Sequence, residues 1–247
     1  MQNSQVRFFV DIMSKLYLIA TPIGNLGDIT ERAKTLIPTL DILCCEDTRH
    51  TGNLVNLLGI DRPKLYVANH EHNERSMAAR IVAWLDEGKV VGLCSDAGYP
   101  VISDPGYPAV AAAIAAGHEI EVLPGASAVQ IALLMSGLPP SSYIFKGFPP
   151  KKPGHRRSFL EEDKLSRHTQ IFYESPYRIG KFLAEAREVF GDARPAAVCM
   201  ELTKQFERAY RGTLGELAAQ FADKPAKGEA VIVIAGNDEK NNDDGAI

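Results

Sequence analysis

Hydrophobic and polar positions follow two different periods in the first half of the chain. Five short apolar runs, each bounded by turn residues, predict β-strands: KLYLIA, DILCC, KLYVA, KVVGLC and EIEVL. Between the third and fourth runs, apolar residues recur at helical spacing and precede Gly88, where the helix is expected to end: Met77, Ile81, Trp84 and Leu85. The alanine-rich segment GYPAVAAAIAAGH predicts a second helix that packs closely on the sheet. Strands that alternate with helices are typical of a parallel sheet built from βαβ units.

The second half of the chain has a different pattern. Its strand candidates follow one another closely enough to pair antiparallel: YIFKGF, TQIFYES, AAVCMELT, FERAYRGT and EAVIVIAG. The sequence therefore predicts an α/β protein of two domains, with a mostly parallel sheet in the N-terminal domain and a mixed sheet in the C-terminal domain. The predicted ranges are an N-terminal extension over 1–13, domains over 14–122 and 123–236, and a disordered acidic tail over 237–247.

Composition narrows the classes of function. The 247 residues carry a net charge of −4, so attraction to nucleic acid requires a local basic patch. The four cysteines lack the C-x-x-C spacing of a zinc site, which favours reduced, buried thiols and no metal. The pattern contains neither a signal peptide nor an apolar run of about 18 residues, so we expect a cytoplasmic enzyme with no membrane segment.

Two loops that follow predicted strands can carry chemistry. In LYLIATPIGNLGDITERA, a proline-stiffened turn leads to a helix with Asp28 or Thr30 as its N-cap, and the GxGxxG spacing of a dinucleotide site is missing. An ordinary strand-to-helix turn is the alternative there. In EDTRHTG, the charges of Glu46, Asp47 and Arg49 either orient a polar substrate or form a salt-bridged helix start.

A third loop, SDAGYPVISDPGYP, holds three prolines and two aspartates without a helical pattern, which is typical of an ordered loop that binds a ligand. Asp104 precedes Pro105 and is expected to act as an N-cap. Asp96 lacks that role and can meet a ribose hydroxyl or a cationic ligand. The PGAS segment then presents N–H groups at a helix N-terminus, which binds carboxylates or phosphates. Together these loops predict a cleft for a nucleoside-like ligand that bears a carboxylate, and S-adenosylmethionine is such a molecule.

Eight motifs occur in the order found in a known family. They extend over about residues 14–236: LYLIATPIGNLGDITERA, EDTRHTG, SDAGYPVISDPGYPAV, LPGASA, GFPPKK, IFYESPYR, ELTK and KGEAVIVIAG. On these motifs the chain resembles the tetrapyrrole methylase superfamily and, within it, the enzymes that modify ribosomal RNA. The resemblance implies a homodimer that binds S-adenosylmethionine in the cleft between its two domains. It also implies 2′-O-methylation of a cytidine ribose in 16S rRNA, at the decoding region of the 30S subunit.

The resemblance assigns site residues as well. Carried over by motif, the cofactor-binding positions are Pro22, Ser95, Asp96, Ala97, Gly98, Ile102, Ser127 and Ala230. Several groups are candidates for the base that removes the ribose proton, and the sequence singles out none of them: Glu46, Asp47, Glu174, Glu201 and Lys204. Arg49 is expected to keep a carboxylate ionised or to contact phosphate.

The stretch KGFPPKKPGHRR supplies the local basic patch. Its lysines and arginines are suited to RNA phosphates, although a solvated linker has the same composition: Lys146, Lys151, Lys152, Arg156 and Arg157. Tyr173 and Tyr177 either stack on an unpaired base or belong to the core.

The chain departs from the family pattern in two places. Tyr99 stands where the family commonly has Thr, and either narrows the entrance or stacks on a base. Family members also usually continue into a small helical C-terminal domain that helps to grip RNA. Two other functions therefore stay open, namely methylation of a small molecule or a protein side chain, and an RNA-binding module without turnover.

Overall fold

The computed structural model describes residues 15–222 and 227–237. The chain divides into two compact units between Ser127 and Ala128. The sequence places the division at residue 122, so the two positions differ by the segment that contains PGAS. The predicted extension over 1–13 and, apart from Asn237, the predicted tail lie outside the described residues.

The first unit contains a sheet of five parallel strands. The strands are β1 (Leu16–Ile19), β2 (Ile42–Cys45), β3 (Tyr66–Ala68), β4 (Val91–Cys94) and β5 (Ile120–Leu123). They lie in the order β3-β2-β4-β1-β5, and every neighbouring pair is parallel. All five predicted strands of this half are confirmed. The central strands β2 and β4 are buried at every position, as expected for a parallel sheet covered on both faces.

Helices cover the two faces of this sheet in pairs. They are α1 (Glu31–Leu36), α2 (Thr48–Leu57), α3 (Glu74–Asp86) and α4 (Tyr107–Ala115). Alternate strand residues pack with α1 and α2 in one core and with α3 and α4 in the other, because successive side chains point to opposite faces. The predicted helices α3 and α4 are confirmed, and Gly88 follows α3 with a φ of +76°.

The strand order brings two divergent loops side by side. Strands β1 and β4 are neighbours, but the chain leaves β1 for α1 on one face and leaves β4 for α4 on the other. In open α/β sheets, ligands bind at the carboxyl ends of strands whose connections diverge in this way. The loops after β1 and β4 therefore flank the expected binding crevice of the first unit.

The second unit contains a mixed sheet, as predicted. Its elements are α5 (Ala128–Ser136), β6 (Tyr143–Phe145), α6 (Pro153–Glu161), β7 (Thr169–Glu174), α7 (Ile179–Phe190), β8 (Pro195–Met200), β9 (Arg208–Thr213), α8 (Leu214–Gln220) and β10 (Ala230–Ile234). The strand order is β6-β7-β10-β8-β9, in which β6 and β7 are parallel and the other pairs are antiparallel.

The cysteines are free and buried. Burial raises the pKa of the Cys44 thiol to about 12 and that of the Cys199 thiol to about 11, so both thiols stay protonated. Within the described ranges no group of three or more His, Cys, Asp or Glu residues is arranged to hold a metal ion. No helix in these ranges has the length and apolarity needed to cross a membrane.

Candidate functional site

The loops at the carboxyl edge of the first sheet are joined by hydrogen bonds. Thr21, after β1, and Gly98, after β4, exchange two backbone hydrogen bonds, with N–O distances of 2.9 and 3.1 Å. The Asp47 N–H donates to Asp96 Oδ1 at 3.3 Å, which links the loops after β2 and β4. The Gly125 N–H donates to the Tyr99 hydroxyl at 3.1 Å, which links the loops after β4 and β5. Four strand-end loops thus form one frame.

Glycines allow this close approach of the backbones. Gly98 has a φ of +80°, and a Cβ on it would lie 3.3 Å from Ile23 Cγ2. A Cβ on Gly125 would lie 2.7 Å from the Cβ of Ala20, closer than carbon atoms can pack. Both positions therefore require glycine for the loops to meet. The contact of Tyr99 with Gly125 also gives this departure from the family pattern a structural role.

The first two loops contain ordinary helix caps. Thr30 caps α1 by accepting the Ala33 N–H, so the Thr30 alternative is confirmed, whereas Asp28 lies in a short 3-10 turn before it. Asp47 caps α2, and its carboxylate pairs with Arg49 at 2.8 Å. The hydrogen bonds from Arg49 hold the pKa of Asp47 well below its usual range. The Asp47 carboxylate is thus a weak proton acceptor, and the salt-bridged helix start is the interpretation that the geometry favours.

An open cavity of about 460 Å³ lies beside this frame. Its walls come from three segments: Glu46 after β2, residues 70–74 between β3 and α3, and residues 103–107 before α4. The lining side chains are mostly titratable, and they include Glu46, His70, Glu71, His72, Glu74 and Asp104. This volume is within the range of small-molecule sites.

Two carboxylates of the cavity hold their protons more tightly than usual. Burial raises the pKa of Asp104 to about 6, the charges of Glu46 and Asp96 add to the effect, and Ser95 partly opposes it. Burial, followed by the charge of Asp96, also raises the pKa of Glu46. Carboxyl groups with a pKa near neutrality are common at sites of acid–base chemistry.

The expectation that Asp104 is a helix N-cap is wrong. Helix α4 begins at Tyr107, with Gly106 as an N-cap that offers no side chain. The Gly106 N–H instead donates to Glu74 Oε2 at 2.8 Å. The loop before it is strained, because Val101 and Ser103 have φ values of +76° and +65°, which side chains with a Cβ rarely adopt. Asp104 is therefore left facing the cavity without a capping role.

Sequence reasoning missed the wall formed by NHEHNE. Asn69 is 1 % exposed, and neither its amide oxygen nor its nitrogen has a hydrogen-bond partner among the described residues. The buried Nδ1 of His70 likewise has none. Unsatisfied buried polar groups are uncommon and are often completed by water or a ligand. The signal was available, since these residues follow a predicted strand just as EDTRHTG does.

In the second unit, four predicted site residues gather at one end of the sheet. Ala230 lies opposite Glu174 on β7 and next to Met200, which ends β8. The Glu174 side chain is fully buried, and its Oε1 accepts from Arg178 Nε at 2.8 Å. Lys204 lies between Glu201 at 3.1 Å and Glu229 at 2.9 Å.

The charged side chains at this end of the second sheet form ion pairs. Burial alone would lower the pKa of Lys204, but the bonds to Glu229 and Glu201 outweigh burial and raise it. Backbone hydrogen bonding from Glu229 lowers the pKa of Glu201. Lys204 is thus held as a cation, which disfavours it as a neutral base.

The predicted basic patch is only partly available for phosphate. Arg156 is 3 % exposed, forms a bidentate pair with Glu185 and donates to the carbonyls of Pro150 and Lys151, so it stabilises the fold instead of meeting RNA. Lys146 pairs with Asp163 and lies 4.4 Å from the centre of the Phe159 ring.

Three cations of this patch remain exposed. Arg157 pairs with Glu161 and Glu188 on the surface. Lys151 and Lys152 are exposed and make no ion pair with any described residue. The remaining aromatic candidates also differ, because Tyr173 packs against Phe145 and Phe148 while Tyr177 is 76 % exposed.

Most positions expected to bind the cofactor lie at the carboxyl edge of the first sheet. Pro22 and Ser95 are buried, Asp96 is half-buried, Ala97 is exposed and Ile102 is 48 % exposed. Ser127 ends the first unit, and Ala230 belongs to the second.

Comparison with known proteins identifies relatives of the whole fold. The family profile for Tetrapyrrole (Corrin/Porphyrin) Methylases matches residues 15–218. A protein of Xylella fastidiosa named "Ribosomal RNA small subunit methyltransferase I" is 46% identical over 223 residues, which cover 90% of this chain and 81% of that protein. A protein of Halalkalibacterium halodurans with the same name is 44% identical over 230 residues, which cover 93% of this chain and 78% of that protein.

Solved structures have the same fold at low identity. A uroporphyrin-III-C-methyltransferase from Thermus thermophilus superimposes with a TM-score of 0.62 at 21% identity, covering 90% of this chain and 94% of that chain. A cobalt precorrin-4 methyltransferase superimposes with a TM-score of 0.59 at 19% identity, covering 90% of this chain and 95% of that one. The chain therefore belongs to the tetrapyrrole methylase family.

Proposed function

We propose that the chain transfers a methyl group from S-adenosylmethionine to the 2′-hydroxyl of a cytidine in the RNA of the small ribosomal subunit. The observation that carries this proposal is the hydrogen-bonded frame of strand-end loops next to a cavity lined by carboxylates of raised pKa. Relatives at 44% to 46% identity are named as methyltransferases of small-subunit ribosomal RNA, which supports this acceptor over others.

The residues of the frame suit S-adenosylmethionine. Gly98 and Gly125 let the loops after β1, β4 and β5 approach one another closely, so that backbone groups lie at the edge where the ligand would bind. Asp96 uses one carboxylate oxygen to accept the Asp47 N–H, and its second oxygen can meet a ribose hydroxyl. Pro22, Ser95 and Ala97 would complete the contact, with Ile102, Ser127 and Ala230 as further positions. The bound cofactor would supply a methyl group from a sulfonium, with the carbon–sulfur electron pair staying on sulfur.

The protein contributes alignment and proton removal. Methyl transfer is an in-line displacement, so holding the acceptor oxygen at near-attack distance provides much of the rate enhancement. A ribose hydroxyl is a weak nucleophile at neutral pH, and a nearby carboxylate can accept its proton. The cavity contains such carboxylates in Glu46 and Asp104.

Binding of RNA would use the exposed cations of the basic patch. Lys151, Lys152 and Arg157 are exposed and suited to phosphate contacts, and the exposed Tyr177 can stack on an unpaired base. A cytoplasmic location, consistent with four free thiols, and a homodimer are part of the proposal.

The exposed lysines of the basic patch favour RNA over the small-molecule alternative. An enzyme that methylates a small molecule has no need of Lys151 and Lys152, whereas RNA offers phosphates to both. An RNA-binding module without turnover would have no use for a carboxyl of raised pKa.

The test is transfer of radiolabelled methyl from S-adenosylmethionine to 30S subunits and to naked 16S RNA that lack the modification. Nuclease digestion then locates the label. We expect label on a cytidine ribose. Calorimetry of cofactor binding in the same preparation serves as the control for an active protein. Bound cofactor with no label on either RNA would contradict the proposed function.

A further inference from the structure

The cavity and the strand-end loops beside it offer several carboxylates, and most of them already have a partner. Asp47 caps α2 and pairs with Arg49, Asp96 accepts the Asp47 N–H, and Glu74 accepts the Gly106 N–H. Asp104 makes no ion pair with any described residue, caps no helix, and accepts a side-chain hydrogen bond from Ser95. Among the carboxylates of the strand-end loops, Asp104 thus has neither a cation nor a helix cap to hold its charge.

The segment that carries Asp104 is held in place by its neighbours. Glu74 fixes the Gly106 amide at 2.8 Å, and Gly106 itself packs where a Cβ would lie 2.8 Å from Leu93 Cδ2. The unusual φ values at Val101 and Ser103 are kept by this anchoring. The carboxyl of Asp104 is therefore oriented by the loop on both sides, as a reacting group needs to be.

The electrostatic surroundings of Asp104 favour proton uptake. Negative groups approach it from the loops after β2 and β4, and the wall between β3 and α3 adds two imidazoles and two carboxylates. The facing groups are Glu46, Asp96, His70, Glu71, His72, Glu74 and the phenol of Tyr107. No lysine or arginine lines the cavity among the described residues. His70, which lines the cavity, has a buried Nδ1 without a partner among the described residues, and the amide of the neighbouring Asn69 is likewise unpartnered there.

We propose that Asp104 is the general base, which accepts the proton of the acceptor hydroxyl when that hydroxyl enters the cavity. This proposal rests on the proposed function. As the acceptor oxygen bonds to the methyl carbon, the carbon–sulfur bond would break with its electron pair staying on sulfur. The oxygen–hydrogen bond of the acceptor breaks with its electron pair staying on oxygen, and the proton passes to the Asp104 carboxylate. Solvent then removes the proton through the open cavity. Burial raises the pKa of Asp104 to about 6. The carboxyl is therefore ionised at pH 7.5 and is still basic enough to accept the proton of the acceptor hydroxyl.

The experiment compares four proteins on 30S subunits that lack the modification. These are the wild type, Asp104→Asn, Asp104→Glu and the control Asp86→Asn, which removes a carboxylate on the surface of the same unit. We expect Asp104→Asn to lower kcat about 100-fold with cofactor affinity by calorimetry within about threefold of wild type. Asp104→Glu should recover part of the rate, and Asp86→Asn should match the wild type.

The pH profile separates a catalytic role from a structural one. In the wild type, log kcat/KM should rise with a slope of one up to about pH 6 and then level off, and this limb should be absent in Asp104→Asn. Glu46→Gln removes a neighbouring negative charge and should move the limb to lower pH. An Asp104→Asn rate within threefold of wild type, or an unchanged limb, would overturn the assignment of Asp104.

A second measurement decides the case in which the wild type labels no RNA. That outcome would contradict the proposed function, and carbon-13 NMR titration of Asp104 in the free protein would still test the residue. A carboxyl that titrates near pH 6 supports a poised base. Titration near pH 4 shows an ordinary surface carboxylate and overturns the proposal whatever the acceptor.

Discussion

The charged clusters of the two units differ in how their carboxylates are paired. In the second unit, buried Glu174 binds Arg178, and Lys204 binds both Glu201 and Glu229. In the first unit, Glu46 and Asp104 share a cavity in which neither has a cationic partner among the described residues. Removing one partner of a buried ion pair destabilises a fold, whereas unpaired carboxyls of raised pKa are available for proton transfer. Both clusters contain motif residues, so the motifs alone do not tell the two roles apart.

The largest expected effect is a loss of stability when the buried ion pair of the second unit is broken. Replacing Arg178 by Met leaves the fully buried Glu174 carboxylate without its cation. We expect the free energy of unfolding to fall by about 3 kcal/mol, because an uncompensated buried charge is strongly destabilising. Urea denaturation measures this loss. The matched control is Arg187→Met, whose pair with Asp192 is exposed and should matter little. A similar loss in both variants would mean that burial of the pair is unimportant.

The next prediction compares the contributions of the exposed lysines and of the buried Arg156 to RNA binding. Reversing two charges in Lys151→Glu/Lys152→Glu should weaken RNA binding at least about tenfold and flatten its dependence on log salt by about 2. Arg156→Met should lower stability and leave RNA affinity nearly unchanged, because Arg156 is buried against Glu185.

Filter binding over a range of salt concentrations measures both the RNA affinity and its dependence on salt. The pair Lys164→Glu/Lys181→Glu supplies a control of equal charge elsewhere on the second unit. If that control weakens binding as much, the basic patch has no special role.

A smaller effect concerns the stability of the first unit. The pKa of Asp104 rises from 3.8 to about 6 on folding, so ionisation is harder in the folded chain, and the cost appears as pH rises through this interval. Asp104→Asn removes that cost and should stabilise the protein at pH 7.5 by about 1 kcal/mol, after allowance for partial exposure to water. Below pH 4 the two proteins should unfold alike. Thermal denaturation at both pH values checks this, and a variant that is less stable at pH 7.5 would contradict it.

The smallest effect tests the frame itself. Tyr99→Phe removes only the hydroxyl that accepts the Gly125 N–H. We expect cofactor affinity to fall about threefold, since a hydrogen bond of this kind contributes on the order of 1 kcal/mol. Calorimetry provides the measurement, and Tyr143→Phe, whose hydroxyl accepts from Gln130 in the second unit, provides the comparison.

The sequence was sufficient for what depends on local patterns. Every predicted strand formed, and Thr30, one of the two cap residues that the sequence left open, caps α1 because a cap needs only the next three residues. The cavity could not be predicted from the sequence, because its walls come from three loops that meet only through the strand order β3-β2-β4. The cap assigned to Asp104 was wrong because packing of Gly106 against Leu93 moves the start of α4. Arg156 was misjudged because its partner, Glu185, is 29 residues away.

The frame of loops has an evolutionary consequence. Its contacts are made by the backbones of Thr21, Asp47, Gly98 and Gly125, together with the side chains of Asp96 and Tyr99. The side chains that line the adjoining cavity are almost entirely different residues. Mutations can therefore change the acceptor chemistry of the cavity while the scaffold that supports it persists. Folds retained at about 20% identity are an expected result of such a division between scaffold and pocket.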